Sequence, residues 1–462
     1  MAALVPAHYL TSVPPIARDY WATGARADAL QSAGWNLGWW WALFAVTACA
    51  LLRAPRWPAV VVALGLGAAA SAVSLVHTAV LSDDLYRYAW DGRVQAAGIN
   101  PYRYAPDDPR LTPLREDWLW PSAQECAARG KDIPCTRINR SGVPTIYPPA
   151  AQLWFRLAHA VLPTGSRDLG YELLGLGVSL AVGALLAWLL WRTGRDPRWV
   201  VLWACCPVVP LEAVQNAHVD VVAALLVAVA CAVLLLAPRW SACGGRGRQV
   251  GAAVLVAGAG LVKLYPFVLL PALVQRCRPS AWTAAVIVAA LAYLPFVVSV
   301  GGGVAGYLSG YLQEQGYDDG DRFLLLSLTG LTGTPVRVVA WAIVGAVGML
   351  AVLRRLGPPL PAALTVFVTL LLVATPGEPW YELILVVLVV LTGCWQWLGL
   401  IVAEYVVYLT AMLGGPHVPA SQGAYLATLV LGVGVTVLRR LGRRLEGDRV
   451  AGSAAADRVP PA

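Results

Sequence analysis

Residues 82–104 read SDDLYRYAWDGRVQAAGINPYRY and follow directly on an apolar run that ends at Leu81. Two adjacent carboxylates, Asp83 and Asp84, are followed there by Arg87, Tyr88, Asp91, Arg93 and further tyrosines. A carboxylate at the edge of a low-dielectric cavity, with arginines nearby, stays ionised and can accept the proton of a hydroxyl nucleophile. The arginines can hold a phosphate leaving group and offset its developing charge. Aromatic faces suit a sugar ring, so acid, cation and aromatic together suit glycosyl transfer from a phospholipid donor. The bland alternative, a helix stop signal solvated by headgroups, accounts for one aspartate more readily than for the whole set.

Other polar groups intrude on apolar stretches. LEAVQNAHVD carries Glu212, Asn216, His218 and Asp220. A histidine here can be a metal ligand, but no HExxH or paired-cysteine pattern accompanies it, and neither a metal nor a cofactor is expected. Lys263 lies 15 residues beyond Arg248, roughly 22 Å along a helix, which puts it in the outer part of a membrane. An intramembrane lysine is a functional candidate by default, the plain reading being a side chain that snorkels to the interface. Tyr265 and Pro266 follow it, and the proline is expected to break the helix. GYDDGDRF reads as a solvated acidic turn or an acceptor-side loop. TPGEPWYE, with Glu378, Trp380 and Tyr381, reads as a turn that faces the same cavity.

The elements that must position these groups are membrane helices. Of 462 residues, 58% are hydrophobic and 13% charged, against roughly 25% charged in ordinary soluble domains. The formal charge of +8 does not point to nucleic acid, because the arginines sit in short clusters between apolar runs. Such clusters orient a polytopic chain, since short cytoplasmic loops are enriched in Lys and Arg. Six are seen: Arg53 with Arg56; Arg192, Arg195 and Arg198; Arg239, Arg246 and Arg248; Arg276 with Arg278; Arg354 with Arg355; and Arg439, Arg440, Arg443 and Arg444. Placing all on one side predicts an all-α polytopic transmembrane bundle of about thirteen spans, N-terminus outside and C-terminus inside. The spans fall near 36–52, 58–81, 169–191, 199–214, 219–237, 250–264, 265–275, 281–299, 335–353, 361–375, 379–393, 397–413 and 423–438. Residues 1–33 carry no signal peptide pattern.

The scheme leaves a large outer loop at 82–168 and a second at 301–335. Within the first, YPPAAQLWFRLAHAVLP places Gln152, Arg156 and His159 on one helix face, so it is expected to be an interfacial or re-entrant helix on the outer side with that face toward a cavity. Cys126 and Cys135 lie nine residues apart in the same loop, where an oxidising compartment permits a disulfide. Residues 1–445 read as one domain, and 446–462 as a disordered cytoplasmic tail.

SDDLYRYAWDGRVQAAGINPYRYAPDDPRL, with INRSGVPTIYPPAAQ, NAHVD and VKLYPFVLLPAL, resembles the bacterial polyprenyl-phosphate-mannose-dependent α-(1→6)-mannosyltransferases. These belong to the GT-C superfamily, near glycosyltransferase family 87, and the resemblance runs from about Thr78 to Thr410. It implies a multi-pass protein of the bacterial plasma membrane with an outward-facing site. It further implies a polyprenyl-phosphate-mannose donor, a glycolipid or polysaccharide acceptor, an inverting mechanism and a catalytic carboxylate in the first outer loop. By position that base is Asp84, or else Asp83. Arg87, Arg93 and Lys263 are then candidates for the donor phosphate. Tyr88, Asp91, Tyr147, Asn216, His218, Asp220, Tyr265, Glu378 and Tyr381 are candidates for the substrate site. The chain departs from the pattern at Glu378, where a histidine is expected, at GYDDGDRF, and at an insertion near Gln124 to Asp132. A competing reading, a secondary transporter or flippase for a lipid-linked sugar, would use Lys263, Glu212 and Asp220 as coupling groups near the midplane. It lacks the two related halves usual for such folds.

Overall fold

The computed structural model describes residues 25–76, 81–128, 131–236, 245–274, 278–413 and 418–456. Among them no strand occurs. The longer helices are α1 (Ala25–Arg53), α2 (Arg56–Ser74), α3 (Asp84–Ala96), α4 (Pro149–Val161), α5 (Arg167–Arg192), α6 (Asp220–Leu235), α7 (Arg246–Val262), α8 (Pro279–Val300), α9 (Gly333–Val352), α10 (Pro359–Ala374), α11 (Glu382–Thr392), α12 (Gly399–Leu413) and α13 (Val418–Ala456). The expectations for residues 1–24, Arg239 and Arg276 lie outside the described residues.

The count of thirteen spans is not what the helices give. Among the described residues six are long and apolar enough to cross a membrane: α1, α2, α5, α8 with its continuation to Glu314, α9 and α13. A seventh results if the pair Pro197–Ala204 and Val209–Gln215, bent by 62°, is one span. The other apolar runs are shorter or broken. Helix α6 has 16 residues, about 24 Å at 1.5 Å per residue, against a hydrocarbon core of about 30 Å. The run at 265–275 is a 3-10 turn, Tyr265–Leu269, followed by the single helical turn Leu270–Leu273. Hydropathy registers an apolar run but not whether it is one straight helix, and prolines such as Pro210, Pro266 and Pro271 remove backbone donors within these runs.

Burial separates the helices. In α11 every residue from Glu382 to Leu391 is buried, as expected for a helix apolar on all sides in a bundle centre. Helix α8 does the opposite and exposes Val286, Leu291 and Val298, a surface suited to lipid. Two glycines set close approaches. A Cβ at Gly175 of α5 would lie 2.0 Å from the carbonyl oxygen of Ala213, and one at Gly92 of α3 would lie 2.4 Å from that of Phe155 in α4.

Several arginine clusters meet at one end of the bundle. Arg56 donates to the carbonyl of Arg195, Arg198 to that of Ala54, Arg195 to that of Leu391 and Arg439 to that of Gly393. The other end of α5 carries Asp168, whose neighbours Arg137 and Tyr86 belong to the first outer loop. One expectation is corrected. The polar face of α4 does not line the cavity: Gln152 is buried and donates to Asp91 of α3, while Arg156 is exposed and donates to the carbonyl of Gln95. The last helix runs on past Glu446 to Ala456, and residues 457–462 of the expected tail lie outside the described residues.

Candidate active site

Where the first outer loop meets the bundle, a cavity of about 570 Å³ opens. Its polar and aromatic lining includes Asp83, Asp84, Arg87, Asn139, Arg140, Tyr147, Lys263, Tyr265, Glu378, Trp380 and Tyr381, and its apolar lining includes Leu264, Val268, Leu312, Val344, Leu370 and Leu371. The tyrosines Tyr307, Tyr311 and Tyr317 of the second outer loop close over it.

Asp84 is the first residue of α3, where the helix dipole favours an anion, and Ser82 Oγ accepts its main-chain N–H at 3.2 Å. Its Oδ1 accepts from Asn139 Nδ2 at 2.6 Å and its Oδ2 from the Tyr88 hydroxyl at 3.3 Å. The same Asn139 amide donates to Asp83 at 3.1 Å. The two carboxylates nevertheless differ. Burial, and next the Asp84 charge beside it, push Asp83 up to about 6. Burial also works against ionisation of Asp84, but the His218 ring, the Lys263 charge and hydrogen bonds from Tyr147 and Asn139 outweigh it and hold Asp84 below its usual value. Asp84 is therefore the member of the pair that stays ionised to lower pH.

Lys263 ends α7, and its Nζ lies 2.9 Å from Asp220 Oδ2. The ammonium sits 5.0, 5.3 and 5.9 Å from the ring centroids of Tyr381, Trp380 and Tyr147, within the range of cation–π attraction. Tyr265 donates to the other Asp220 oxygen at 3.0 Å and stacks on Tyr381 at 4.4 Å. Pro266 breaks the chain here, so Lys263 and Tyr265 point to one wall. Behind it, the π-helical turn Val209–Gln215 carries Glu212, and Asn216, His218 and Asp220 follow, all buried. Asn216 donates to Glu212 at 3.0 Å and does not reach the cavity.

Two candidates, Asp91 and Arg93, do not line the cavity, and a third, Arg87, lines it with its donors already engaged. Arg87 donates through Nε to Asp91 at 3.2 Å and through its terminal nitrogens to the carbonyls of Asn139, Arg140 and Val143, at 3.4, 3.3 and 3.0 Å. It fastens the loop that carries Asn139 and Tyr147, and its buried partner Asp91 lies outside the cavity wall. Arg93 pairs with Glu116 at 2.6 Å, away from the cavity. Arg140, which the cavity wall shares with Arg87, sits at φ +45° and bonds Glu314 at 2.6 Å. The sequence reading missed both Arg140 and Asn139, although they stand in INRSGVPTIYPP, one of the stretches that carry the family resemblance. It also left out Tyr307, Tyr311 and Tyr408. Cys126 and Cys135 are disulfide-bonded, with Cα atoms 5.7 Å apart.

A helical membrane bundle around a cavity lined by carboxylates, an ammonium and apolar side chains is a layout that suits a lipid-linked substrate. The sequence pattern of glycosyltransferase family 87 matches residues 145–376, which include Tyr147, Asp220, Lys263 and the apolar lining but not Asp84. The chain belongs to glycosyltransferase family 87 and is a membrane glycosyltransferase. No curated protein and no solved structure matches it.

Proposed function

We propose that the chain transfers a mannosyl unit from a polyprenyl-phosphate donor to a lipid- or glycan-linked acceptor at the outer face of the bacterial plasma membrane, with inversion. The observation that carries this reading is Asp84, a carboxylate lining a cavity that also holds Lys263, Arg87 and Arg140 and that includes many apolar side chains in its lining. The apolar lining suits an isoprenoid chain, and Lys263 and Arg140 suit the phosphate it ends in. The arginine clusters gathered at the other end of the bundle support an outward-facing site by the charge bias of cytoplasmic loops.

In this reading Asp84 takes the proton of the acceptor hydroxyl as the oxygen bonds to the anomeric carbon. The bond from that carbon to the phosphate oxygen breaks, and polyprenyl phosphate leaves as an anion held by Lys263 and Arg140. A phosphate leaving group needs no acid, so one carboxylate suffices and the configuration inverts. Arg140 reaches the phosphate by exchanging its Glu314 partner, and Tyr147, Trp380 and Tyr381 give the sugar its aromatic faces.

Membranes from cells with and without the gene, given radiolabelled polyprenyl-phosphate-mannose, test the proposal. Label should pass to a larger glycolipid or glycan only with the gene present. Label that crosses the membrane still on its donor lipid would favour the transporter reading, against which the family assignment stands.

A further inference from the structure

His218 is fully buried between two carboxylates. Its Nδ1 lies 3.6 Å from Oδ2 of Asp84 and its Nε2 3.4 Å from Oε2 of Glu212. Among the described residues neither ring nitrogen has a hydrogen-bond partner. The ring is not free to seek others. It stacks on Trp380 with centroids 3.9 Å apart and planes inclined by 19°, and its main-chain N–H donates to the carbonyl of Glu212 at 2.8 Å. Ala217 before it is held at φ +47°, which costs a residue other than glycine about 1 to 3 kcal/mol. Glu212 is in turn fixed by the Tyr405 hydroxyl at 2.5 Å and by the Asn216 amide at 3.0 Å. A core histidine with no function would not be expected to keep two buried nitrogens unsatisfied, each aimed at a carboxylate, since every such group costs about 1 to 3 kcal/mol.

We propose that His218 is the positioning residue of the base, the middle member of a line Asp84–His218–Glu212 that closes to hydrogen bonds when substrate fills the cavity. The proposal rests on the reading of Asp84 as the base. In the closed line Nδ1–H donates to Asp84, and one proton is shared between Nε2 and Glu212. Two protons among three groups leave one negative charge, carried by Asp84 at the cavity. When Asp84 takes the acceptor proton, the line holds three protons and is neutral. Glu212 thus selects the tautomer, because a proton donor on the far nitrogen obliges Nδ1 to carry its own proton toward Asp84. That hydrogen bond orients the carboxylate and stabilises its ionised form, and such contacts often tighten only in the occupied site.

The charged groups and carboxyls facing the line are Asp83, Arg140 and Glu378 near Asp84, and Lys263 with its partner Asp220. The neutral titratable groups are Tyr88 and Tyr147 at Asp84 and Tyr405 at Glu212. None of them is altered by substitution at His218, so a change in pH dependence there reports on the line itself.

Initial rates against pH, with radiolabelled polyprenyl-phosphate-mannose as the donor probe and membrane glycolipid extract as acceptor, test this. His218→Phe keeps the stack on Trp380 and removes both nitrogens. It should lower kcat at least about tenfold with donor KM nearly unchanged, and move the acid limb of kcat to higher pH, because Asp84 loses a donor to its charged form. His218→Gln, which returns one N–H, should recover part of kcat. Combined with Asp84→Asn, His218→Phe should slow transfer no further, since residues that act through one another are not additive. Parent-like kcat and acid limb in His218→Phe, a lower kcat with an unmoved limb, or an undiminished effect in the Asp84→Asn background would each overturn the proposal. An Asp84→Asn enzyme as fast as the parent would instead remove the base on which the line depends.

Discussion

Asp83 and Asp84 share a helix start and one asparagine amide, yet their neighbours divide the work between them. Asp84→Asn keeps shape and hydrogen bonding but loses basicity, and transfer by the purified variant is expected to fall at least about a hundredfold, a typical contribution of a general base. Asp83 should act through pH. Its carboxyl is held at about 6, so above that value its charge raises the basicity of Asp84, and below it the support is lost. The rate should step down as pH falls through about 6, and Asp83→Asn should flatten that step in a pH–rate series. Lys263→Met would leave Asp220, now 2.9 Å from the ammonium, as an unpaired buried carboxylate, at a cost of about 3 to 5 kcal/mol. Thermal unfolding in detergent should show that loss, and Asp220→Asn added to Lys263→Met should reverse most of it while donor KM stays high. Arg87, three positions on from Asp84 and so its neighbour on the surface of α3, lines the same cavity while its donors hold Asp91 and the loop at 139–143.

Helix α3 holds Asp84 in place because it is pressed on α4. Gly92 allows the approach, and Gln152 of α4 ties Asp91, Gln95 and Thr145 into one network, with bonds of 2.9, 2.7 and 3.0 Å. Gly92→Ala would put a methyl carbon 2.4 Å from the Phe155 carbonyl oxygen, so the two helices must separate. Overpacking of this kind costs about 1 to 3 kcal/mol. A lower thermal midpoint together with reduced transfer by Gly92→Ala is the expected outcome, and an enzyme with normal stability and rate would mean that α3 has slack. The broken helices belong to the same scale. Proline at 266 ends α7 so that Lys263 and Tyr265 face one wall, and the π-helical turn at 209–215 sets Glu212 beside His218.

For the molecule in its membrane, the clusters joined through Arg56, Arg195, Arg198 and Arg439 mark one end and the first outer loop marks the other. A cysteine placed at the exposed position of Asp107 should react with an impermeant maleimide on intact cells, and one placed at that of Arg53 should react only after permeabilisation. The reverse pattern would turn the site toward the cytoplasm and exclude an outer-face acceptor.

What the residue string determined by itself was the membrane class, the arginine bias and the intrusion of charge at Asp84, Asp220 and Lys263, because each is a local departure from an apolar background that costs free energy unless it is used. Tertiary structure decided the rest. An apolar run of 11 to 17 residues looks like a span until a proline or a bend shows it to be a half-helix. Arg140 and Asn139 enter the site only because Arg87 pins their loop across α3. His218 reaches Asp84 over 134 positions of sequence, through a stack on Trp380 that no local pattern encodes, since the direction in which a side chain points depends on which helix it is packed against.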